Sequence, residues 1–299
     1  MSGNKKVWFI PDAARGKGVE LAKATLAEGN QVVATSCNTD KLATILGDHE
    51  NLLIVKLDIT DPTNAEAAVK LAVDRFGRID VLVNNAGSFY DGSFEEQTLE
   101  QIERQFSITL FGPMNVTRAV LPVMRKQRSG HVISISSLVG LVGFEYNVAY
   151  ASSRLGLEGW MEALHFALAP YSIKTTIVEP SCFTFWAELS IDDYAERNPQ
   201  FRAFIKVKNE GHECAPAKLV TALVTISNLR EPPFRWIANT DAIAGAEQKE
   251  DELQQGVNAY PGRKLMSFFA RIRKMVRRYT RIVQTRLLFP FFRSKNCNP

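Results

Sequence analysis

A serine, a tyrosine and an arginine in the middle of the chain have the types and the spacing needed to move a proton. Ser137 ends an apolar run, Tyr150 follows it by thirteen residues, and Arg154 comes four residues later. Residues four apart share one face of a helix, so the arginine would hold a permanent positive charge beside the phenol and favour its ionised form. A tyrosine whose pKa falls below its usual value of about 10 can exchange a proton with a carbonyl or alcohol oxygen, which the serine hydroxyl can also hydrogen-bond. Without other signals, the pattern also fits a tyrosine on a helix surface and a serine in a turn.

Two glycines near the start of the chain could form a phosphate-binding turn. Gly16 and Gly18 follow the apolar run "VWFI", and their missing side chains would let a pyrophosphate approach backbone N–H groups at a helix N-terminus. A tight turn between a strand and a helix would explain the same glycines equally well.

Two later turns carry further candidates. Asp58 in "LDIT" could accept hydrogen bonds from an adenine edge or cap a helix, and "NNAG" (84–87) could pack against a flat cofactor or form a plain turn.

The elements that must position these residues alternate between short apolar runs and segments with helical periodicity. Such alternation predicts right-handed crossovers, and hence a doubly wound α/β fold with a parallel sheet of about seven strands and helices on both faces. Ligands of these sheets bind beyond the carboxyl ends of the strands, where the candidate residues lie. The predicted strands are 5–10, 31–36, 52–58, 79–84, 131–136, 173–179 and 234–238, and the predicted helices are 17–28, 39–46, 62–76, 98–127, 148–169, 215–229 and 240–258.

The composition fits one large domain in a reducing compartment. The 299 residues, 45% of them hydrophobic, can form one substantial core, which we place in residues 1–260. Four scattered cysteines without a C-x-x-C pair indicate neither a zinc site nor a disulfide framework, so we expect no metal. The chain shows no signal-like start and no apolar run of about 18 residues, which predicts a cytoplasmic protein.

The long segment 181–214, which is rich in aromatic residues, is expected to be a lid over an apolar substrate.

Taken together, the motifs resemble those of the classical short-chain dehydrogenase/reductase family. The resemblance runs from residue 5 to about 258 and rests on "AARGKG", "LDIT", "VLVNNAG", "ISS" thirteen residues before "AYASSR", and "IVEP", in this order. It implies a Rossmann-type sheet and hydride transfer between the nicotinamide of NAD(P) and a secondary alcohol or ketone. It also implies that Ser137 orients the substrate oxygen and Tyr150 is the acid and base, with Arg154 and Thr109 completing the catalytic set. The implied cofactor contacts are Arg15, Gly16, Lys17, Gly18, Asp58, Ile59, Asn85, Ala86, Gly87, Tyr150, Arg154 and Pro180.

The residues after the second strand bear on the choice of nucleotide. That strand ends in "TSCN", which offers no Asp or Glu to a ribose 2′-hydroxyl, while Arg15 could meet a 2′-phosphate. We therefore expect NADP(H), with NAD(H) as the alternative. The arginine that many NADP-using relatives carry after that strand is replaced here by Cys37.

Several positions of the expected site depart from the family pattern. Asp12 replaces the first glycine of the loop, Thr109 replaces an asparagine, Arg154 replaces a lysine, and Ser181 replaces a glycine. Together these changes predict reduced activity. The alternative is a catalytically degenerate member of the family that serves as a binding or scaffold protein.

Asp12 is the departure with the largest expected cost. An ionised carboxylate about 4 Å from a pyrophosphate would cost roughly 4 kcal/mol at an effective dielectric constant near 20. An outward rotation of the side chain, or an ion pair with Arg15 or Lys17, would reduce that cost.

Residues 261–299 have no counterpart in the family core, and they hold eleven Lys or Arg and no acid. Apolar residues recur with helical spacing between 265 and 288, which predicts a basic amphipathic helix. The helix could contact an anionic membrane surface peripherally, or pack on the acidic body of this or a second subunit. A disordered tail, or one that contacts nucleic acid, is the remaining alternative. Nucleic acid ranks last because no aromatic stacking platform is interleaved, so we expect no nucleic acid partner.

The expected partners are therefore a fairly apolar alcohol or ketone and further copies of the chain. Relatives commonly pair through the helices that correspond to 98–127 and 148–169, whose outward faces are fairly apolar here. This resemblance implies a homodimer or homotetramer.

Overall fold

A computed structural model of the protein describes residues 5–90, 92–181, 191–195, 199, 203 and 216–259. At its centre is a parallel sheet of seven strands in the order β3-β2-β1-β4-β5-β6-β7, which confirms the predicted doubly wound fold. The strand order reverses between β1 and β4, so a crevice opens there beyond the strand ends. The strands are β1 (Val7–Ile10), β2 (Gln31–Ser36), β3 (Leu52–Lys56), β4 (Val81–Asn84), β5 (Gly130–Ile135), β6 (Ile173–Glu179) and β7 (Arg235–Ile237).

Helices connect the strands at the positions that the sequence predicts. The long segment predicted as one helix over 98–127 is helical throughout, but a π-helical turn at Ser107–Phe111 separates its two α-helical parts. The α-helices are α1 (Gly16–Ala27), α2 (Thr39–Leu46), α3 (Pro62–Phe76), α4 (Leu99–Phe106), α5 (Gly112–Gln127), α6 (Val148–Leu168), α7 (Asp192–Ala195), α8 (Pro216–Asn228) and α9 (Thr240–Ala259).

Two apolar layers cover the faces of the sheet. Successive residues of β1 belong to opposite layers: Val7 and Phe9 lie in one buried cluster, Trp8 and Ile10 in the other. The first cluster includes residues of α3, α5 and α6, and the second includes residues of α1, α2 and α8. Because fully burying one large apolar side chain stabilises the fold by about 1.5–3 kcal/mol, these layers hold the strand ends firmly in place.

Two sequence-based predictions concern segments that the structure describes only in part or not at all. Most of the expected lid over 181–214, and the whole predicted amphipathic helix over 265–288, lie outside the described residues. The chain divides into two compact units, Met1–Glu247 and Gln248–Pro299, and the boundary predicted at residue 260 stays a prediction. Within the described part of the chain, no helix is both long and apolar enough to span a bilayer.

Two buried carboxylates share one arginine between α6, β6 and β7. The side chains of Glu158 and Glu179 are 4% and 0% exposed, and both accept hydrogen bonds from Nη1 of Arg235, that to Glu158 being 2.7 Å long. Burial and the neighbouring Glu158 carboxylate raise the pKa of Glu179 to about 7, although Arg235 opposes this. The trio joins the helix that carries Tyr150 to the last two strands.

We expect Glu179→Gln to remove one component of the pH dependence of stability. The folded-state pKa of about 7 exceeds the ordinary value of 4.5, so the folded protein holds an additional proton between these values. Glu179 therefore contributes most to the free energy of unfolding below about pH 4.5, and this contribution is lost as the pH rises through about 7. Urea unfolding should show that, between pH 4.5 and about 7, the free energy of unfolding of wild type falls by on the order of 2 kcal/mol relative to that of Glu179→Gln. Glu162→Gln, an exposed change on α6, is the control, and parallel curves for wild type and Glu179→Gln would contradict the prediction.

Candidate active site

Ser137 lies just beyond the carboxyl end of β5 and starts a short 3-10 turn. Its backbone is extended, its Oγ accepts a hydrogen bond from the Val139 N–H at 3.3 Å, and the same hydroxyl lies 3.5 Å from the carbonyl oxygen of Pro180. Pro180 follows β6 directly and is buried. The ends of these two neighbouring strands thus fix the serine hydroxyl at the edge of the sheet.

Tyr150 lies in the first turn of α6, with Arg154 one turn further on. The guanidinium carbon of Arg154 is 5.2 Å from the centre of the Tyr150 ring, and the ring of Phe89 meets that ring edge-on at 4.8 Å. Burial raises the pKa of the Tyr150 phenol, but the charge and hydrogen bond of Arg154, the Ser137 hydrogen bond and the charge of Lys17 outweigh it. The pKa of Tyr150 is therefore lowered from its ordinary value, which favours a phenol that can lose its proton.

Arg154 is packed into the site rather than extended into solvent. The residue is only 6% exposed, and its Nη1 donates to the carbonyl oxygen of Ile135 at 2.7 Å. A Cβ atom on Gly87 would lie 2.6 Å from Nη2, so a side chain at that position would displace the end of the guanidinium. The buried Nε has no hydrogen-bond partner among the described residues.

Thr109 belongs to the π-helical turn and is joined to Tyr150 through a residue that the sequence analysis missed. The fully buried Gln105 donates from Nε2 to the Thr109 hydroxyl at 2.7 Å and to the Ser153 hydroxyl at 3.3 Å. Ser153 in turn donates to the backbone oxygen of Tyr150 at 2.8 Å. The same amide contacts the loop after β4, through the carbonyl of Ser88 and the N–H of Tyr90.

The loop after β1 places Asp12 in the left-handed backbone region that favours glycine, with φ at 52°. Its carboxylate pairs with Arg15 at 2.7 Å, one of the two pairings that the sequence analysis considered. Arg15 also donates to the carbonyl of Gly87 at 3.1 Å, and Asn85 donates to the carbonyl of Asp12 at 3.3 Å. The loops after β1 and β4 are therefore joined by two side chains.

The same region fits the phosphates of a dinucleotide, with one acid opposing them. A Cβ on Gly18 would lie 2.6 Å from the backbone oxygen of Asp12, whereas around Gly16, at φ 49°, a Cβ would meet nothing within 4 Å. No side chain caps the first turn of α1 and no acid lies in it, which suits an anion. Lys17 in this turn has its pKa lowered by burial and by Arg154, against the influence of Tyr150.

The loop after β3 corrects one reading of the sequence. Asp58 is exposed, and its Oδ1 accepts hydrogen bonds from the Thr60 N–H at 2.9 Å and hydroxyl at 2.7 Å. The cap of α3 is Asp61, so the alternative of Asp58 as a helix cap is wrong. Ile59, an expected cofactor contact, is buried, and a Cβ on Gly112 would lie 2.5 Å from its Cδ1.

The other expected contacts lie at the strand ends around the crevice. Ala86 is buried and Asn85 half-buried after β4, while Cys37 is an exposed free thiol after β2. The Cys37 thiol lies 3.4 Å from the carbonyl oxygen of Leu57. The described residues contain no group of three or more His, Cys, Asp or Glu that could hold a metal ion.

Comparison with known proteins gives one consistent answer. The family model described as short chain dehydrogenase matches residues 6–190. An oxidoreductase of Botryotinia fuckeliana (BOA17) is 31% identical over 257 residues, which cover 83% of this chain and 94% of that protein. A 3-ketodihydrosphingosine reductase of Bacteroides thetaiotaomicron is 33% identical over 238 residues, covering 77% of this chain and 86% of that protein. The crystal structure of a short-chain dehydrogenase from Streptomyces avermitilis superposes with a TM-score of 0.77 at 31% identity, covering 86% of this chain and 96% of that one. The chain is a member of the short-chain dehydrogenase/reductase family of oxidoreductases.

Proposed function

We propose that the protein is an NADP(H)-dependent oxidoreductase that interconverts a fairly apolar ketone and the corresponding secondary alcohol. The observation that carries the proposal is the Tyr150 phenol, which lies half-buried beside the Arg154 guanidinium and Ser137 at the carboxyl ends of the strands. A cofactor bound in the crevice would supply or accept the hydride.

The side chains of this site have complementary tasks in the proposed reaction. In ketone reduction, Tyr150 donates its proton to the carbonyl oxygen as that oxygen gains charge, and the Ser137 hydroxyl hydrogen-bonds the same oxygen. Arg154 stabilises the phenolate that remains. In alcohol oxidation the Tyr150 phenolate takes the proton from the substrate hydroxyl. The lowered pKa of Tyr150 therefore supports both ketone reduction and alcohol oxidation.

The choice of NADP(H) rests on the charges near the ends of β1 and β2. Arg15 is a cation in the first loop, and the residues after β2 offer a thiol, Cys37, in place of an acid. A 2′-phosphate suits such surroundings better than a bare 2′-hydroxyl.

The substrate class rests on the aromatic residues of 181–214, and the similarity to a reductase named for 3-ketodihydrosphingosine supports an apolar ketone.

A panel of ketones tests this function. We expect NADPH oxidation, followed by its absorbance, with at least one apolar ketone and with much lower rates for small polar ketones. Saturable NADPH binding without turnover of any ketone, or of any alcohol with NADP⁺, would favour the second candidate, a binding or scaffold protein. The observation behind that candidate is Asp12, a carboxylate in the phosphate-binding loop.

A homodimer, or a homotetramer that contains it, forms part of the proposal. Phe111 in the π-helical turn and Leu155 and Phe166 on α6 are exposed apolar side chains. We expect Phe166→Arg to shift the protein toward the monomer in sedimentation velocity at micromolar concentration. An unchanged distribution would place the subunit contact elsewhere.

A cytoplasmic location and peripheral membrane contact through 265–288 also belong to the proposal. Both rest on the composition and charge pattern of the sequence alone.

A further inference from the structure

The Arg15 side chain connects the two loops on either side of the crevice between β1 and β4. Its Nε and Nη2 lie 2.8 and 2.7 Å from Oδ2 of Asp12, and Nη2 also donates to the carbonyl of Gly87 at 3.1 Å. Since ligands of doubly wound sheets bind in this crevice, the guanidinium is already engaged by the protein at the place where a nucleotide would need it.

The loop geometry holds Asp12 in position to keep this contact. The Asn85 side chain donates to the backbone oxygen of Asp12, and the N–H of Ala13 donates to the carbonyl of Thr35 on β2 at 2.9 Å. The side chains of Asp12 and Arg15 are nevertheless 26% and 62% exposed. An ion pair so accessible to water is weak, so a stronger anion can replace the carboxylate.

We propose that Asp12 competes with the 2′-phosphate of NADP(H) for Arg15. This competition weakens NADP(H) binding more than NAD(H) binding, and so reduces the selectivity of the site for NADP(H). The inference rests on the proposed function. A phosphate forms stronger charge-assisted hydrogen bonds with a guanidinium than a neutral hydroxyl does, so NADPH draws Arg15 away from Asp12 and leaves that carboxylate unpaired. NADH has no 2′-phosphate, so Arg15 stays on Asp12 and keeps it neutralised.

Two substitutions separate this competition from simple repulsion. Asp12→Asn removes the charge with little change of shape, and asparagine tolerates the left-handed backbone of this position. Arg15→Gln removes the group for which the two anions compete. Asp74→Asn, which removes an exposed acid on α3, controls for net charge, and Asp12→Gly is a second variant without backbone strain.

The experiment measures the dissociation constants of NADPH and NADH by nicotinamide fluorescence, at one salt concentration, for wild type and five variants. These are Asp12→Asn, Asp12→Gly, Arg15→Gln, Asp74→Asn and the double variant with Asp12→Asn and Arg15→Gln. We expect Asp12→Asn to tighten NADPH binding about 10-fold and NADH binding no more than about 2-fold, which raises the selectivity for NADPH by at least about fivefold. With Arg15→Gln present, the same change should tighten both nucleotides by one factor, because Asp12 is then unpaired in both complexes.

Two outcomes overturn the inference and are distinguishable from each other. If Asp12→Asn and Asp12→Gly tighten both nucleotides equally while Arg15 is present, Asp12 only repels anions, and the proposed function stands without the competition. If none of these proteins binds either nucleotide saturably at millimolar concentration, the inference and the proposed function fail together.

Discussion

Replacing Tyr150 by phenylalanine should lower turnover about a thousandfold while leaving NADPH affinity within about threefold of wild type. The change removes only the hydroxyl that we assign as acid and base, a group that typically contributes 10²–10⁴-fold, so we expect a loss on the order of 10³. The ring remains to pack edge-on against Phe89 at 4.8 Å, so the fold of the site should survive. The measurement compares kcat with NADPH affinity in the same preparation.

Tyr171→Phe is the matched control, because that tyrosine lies in the turn after α6 and has Arg128 over its ring. It should keep full activity. If Tyr150→Phe retained more than about a tenth of the wild-type rate, another group would have to transfer the proton.

Replacing Arg154 by methionine should shift the pH at which the protein works. The Arg154 charge favours the Tyr150 phenolate, so its loss should raise the pKa of Tyr150 and move the midpoint of the alcohol-oxidation profile to higher pH. At pH 7 we expect a loss of about 10- to 100-fold, which is partly recovered as the pH rises. The carbonyl of Ile135 also loses its donor, which should cost about 1–3 kcal/mol of stability.

Arg154→Lys separates charge from shape in that prediction. Lysine keeps a positive charge but not the planar guanidinium, so this variant should retain most of the lowered pKa of Tyr150 while losing some stability. Difference absorbance titration, with Tyr150→Phe as the blank, reports the phenol directly in each variant. A pH profile and a phenol titration that are the same for wild type and Arg154→Met would contradict the role given to the arginine.

The fold was predictable because its signals are local and repeated. Each strand is a short apolar run and each connection has helical periodicity, so the parallel sheet follows from the alternation alone. The proximity of Tyr150 and Arg154 follows from their spacing in one helix. The two aspartates before α3 were harder, because Asp58 and Asp61 are each followed by a Thr two residues later. The signal that separates them is Pro62, which fits the first position of a helix and makes Asp61 the cap.

The parts of the site that sequence reasoning missed depend on contacts between distant segments. Gln105 joins the loop after β4, the π-helical turn and α6 with one amide, and only its spacing of four from Thr109 hints at this. Glu158, Glu179 and Arg235 lie far apart in the chain and meet because β6 pairs with β7 beside α6. Periodicity identifies buried faces, but it does not tell which buried polar groups will meet.

Transfer of deuterium from NADPH that carries deuterium at both hydrogen positions of the nicotinamide C4 to a ketone, detected by mass spectrometry of the alcohol, tests the central claim most directly. We predict deuterated alcohol from at least one apolar ketone with wild-type protein, and a yield lower by on the order of 10³ with Tyr150→Phe. The result that would contradict it is saturable binding of the labelled nucleotide without deuterium in any product, or an equal yield from the Tyr150→Phe protein.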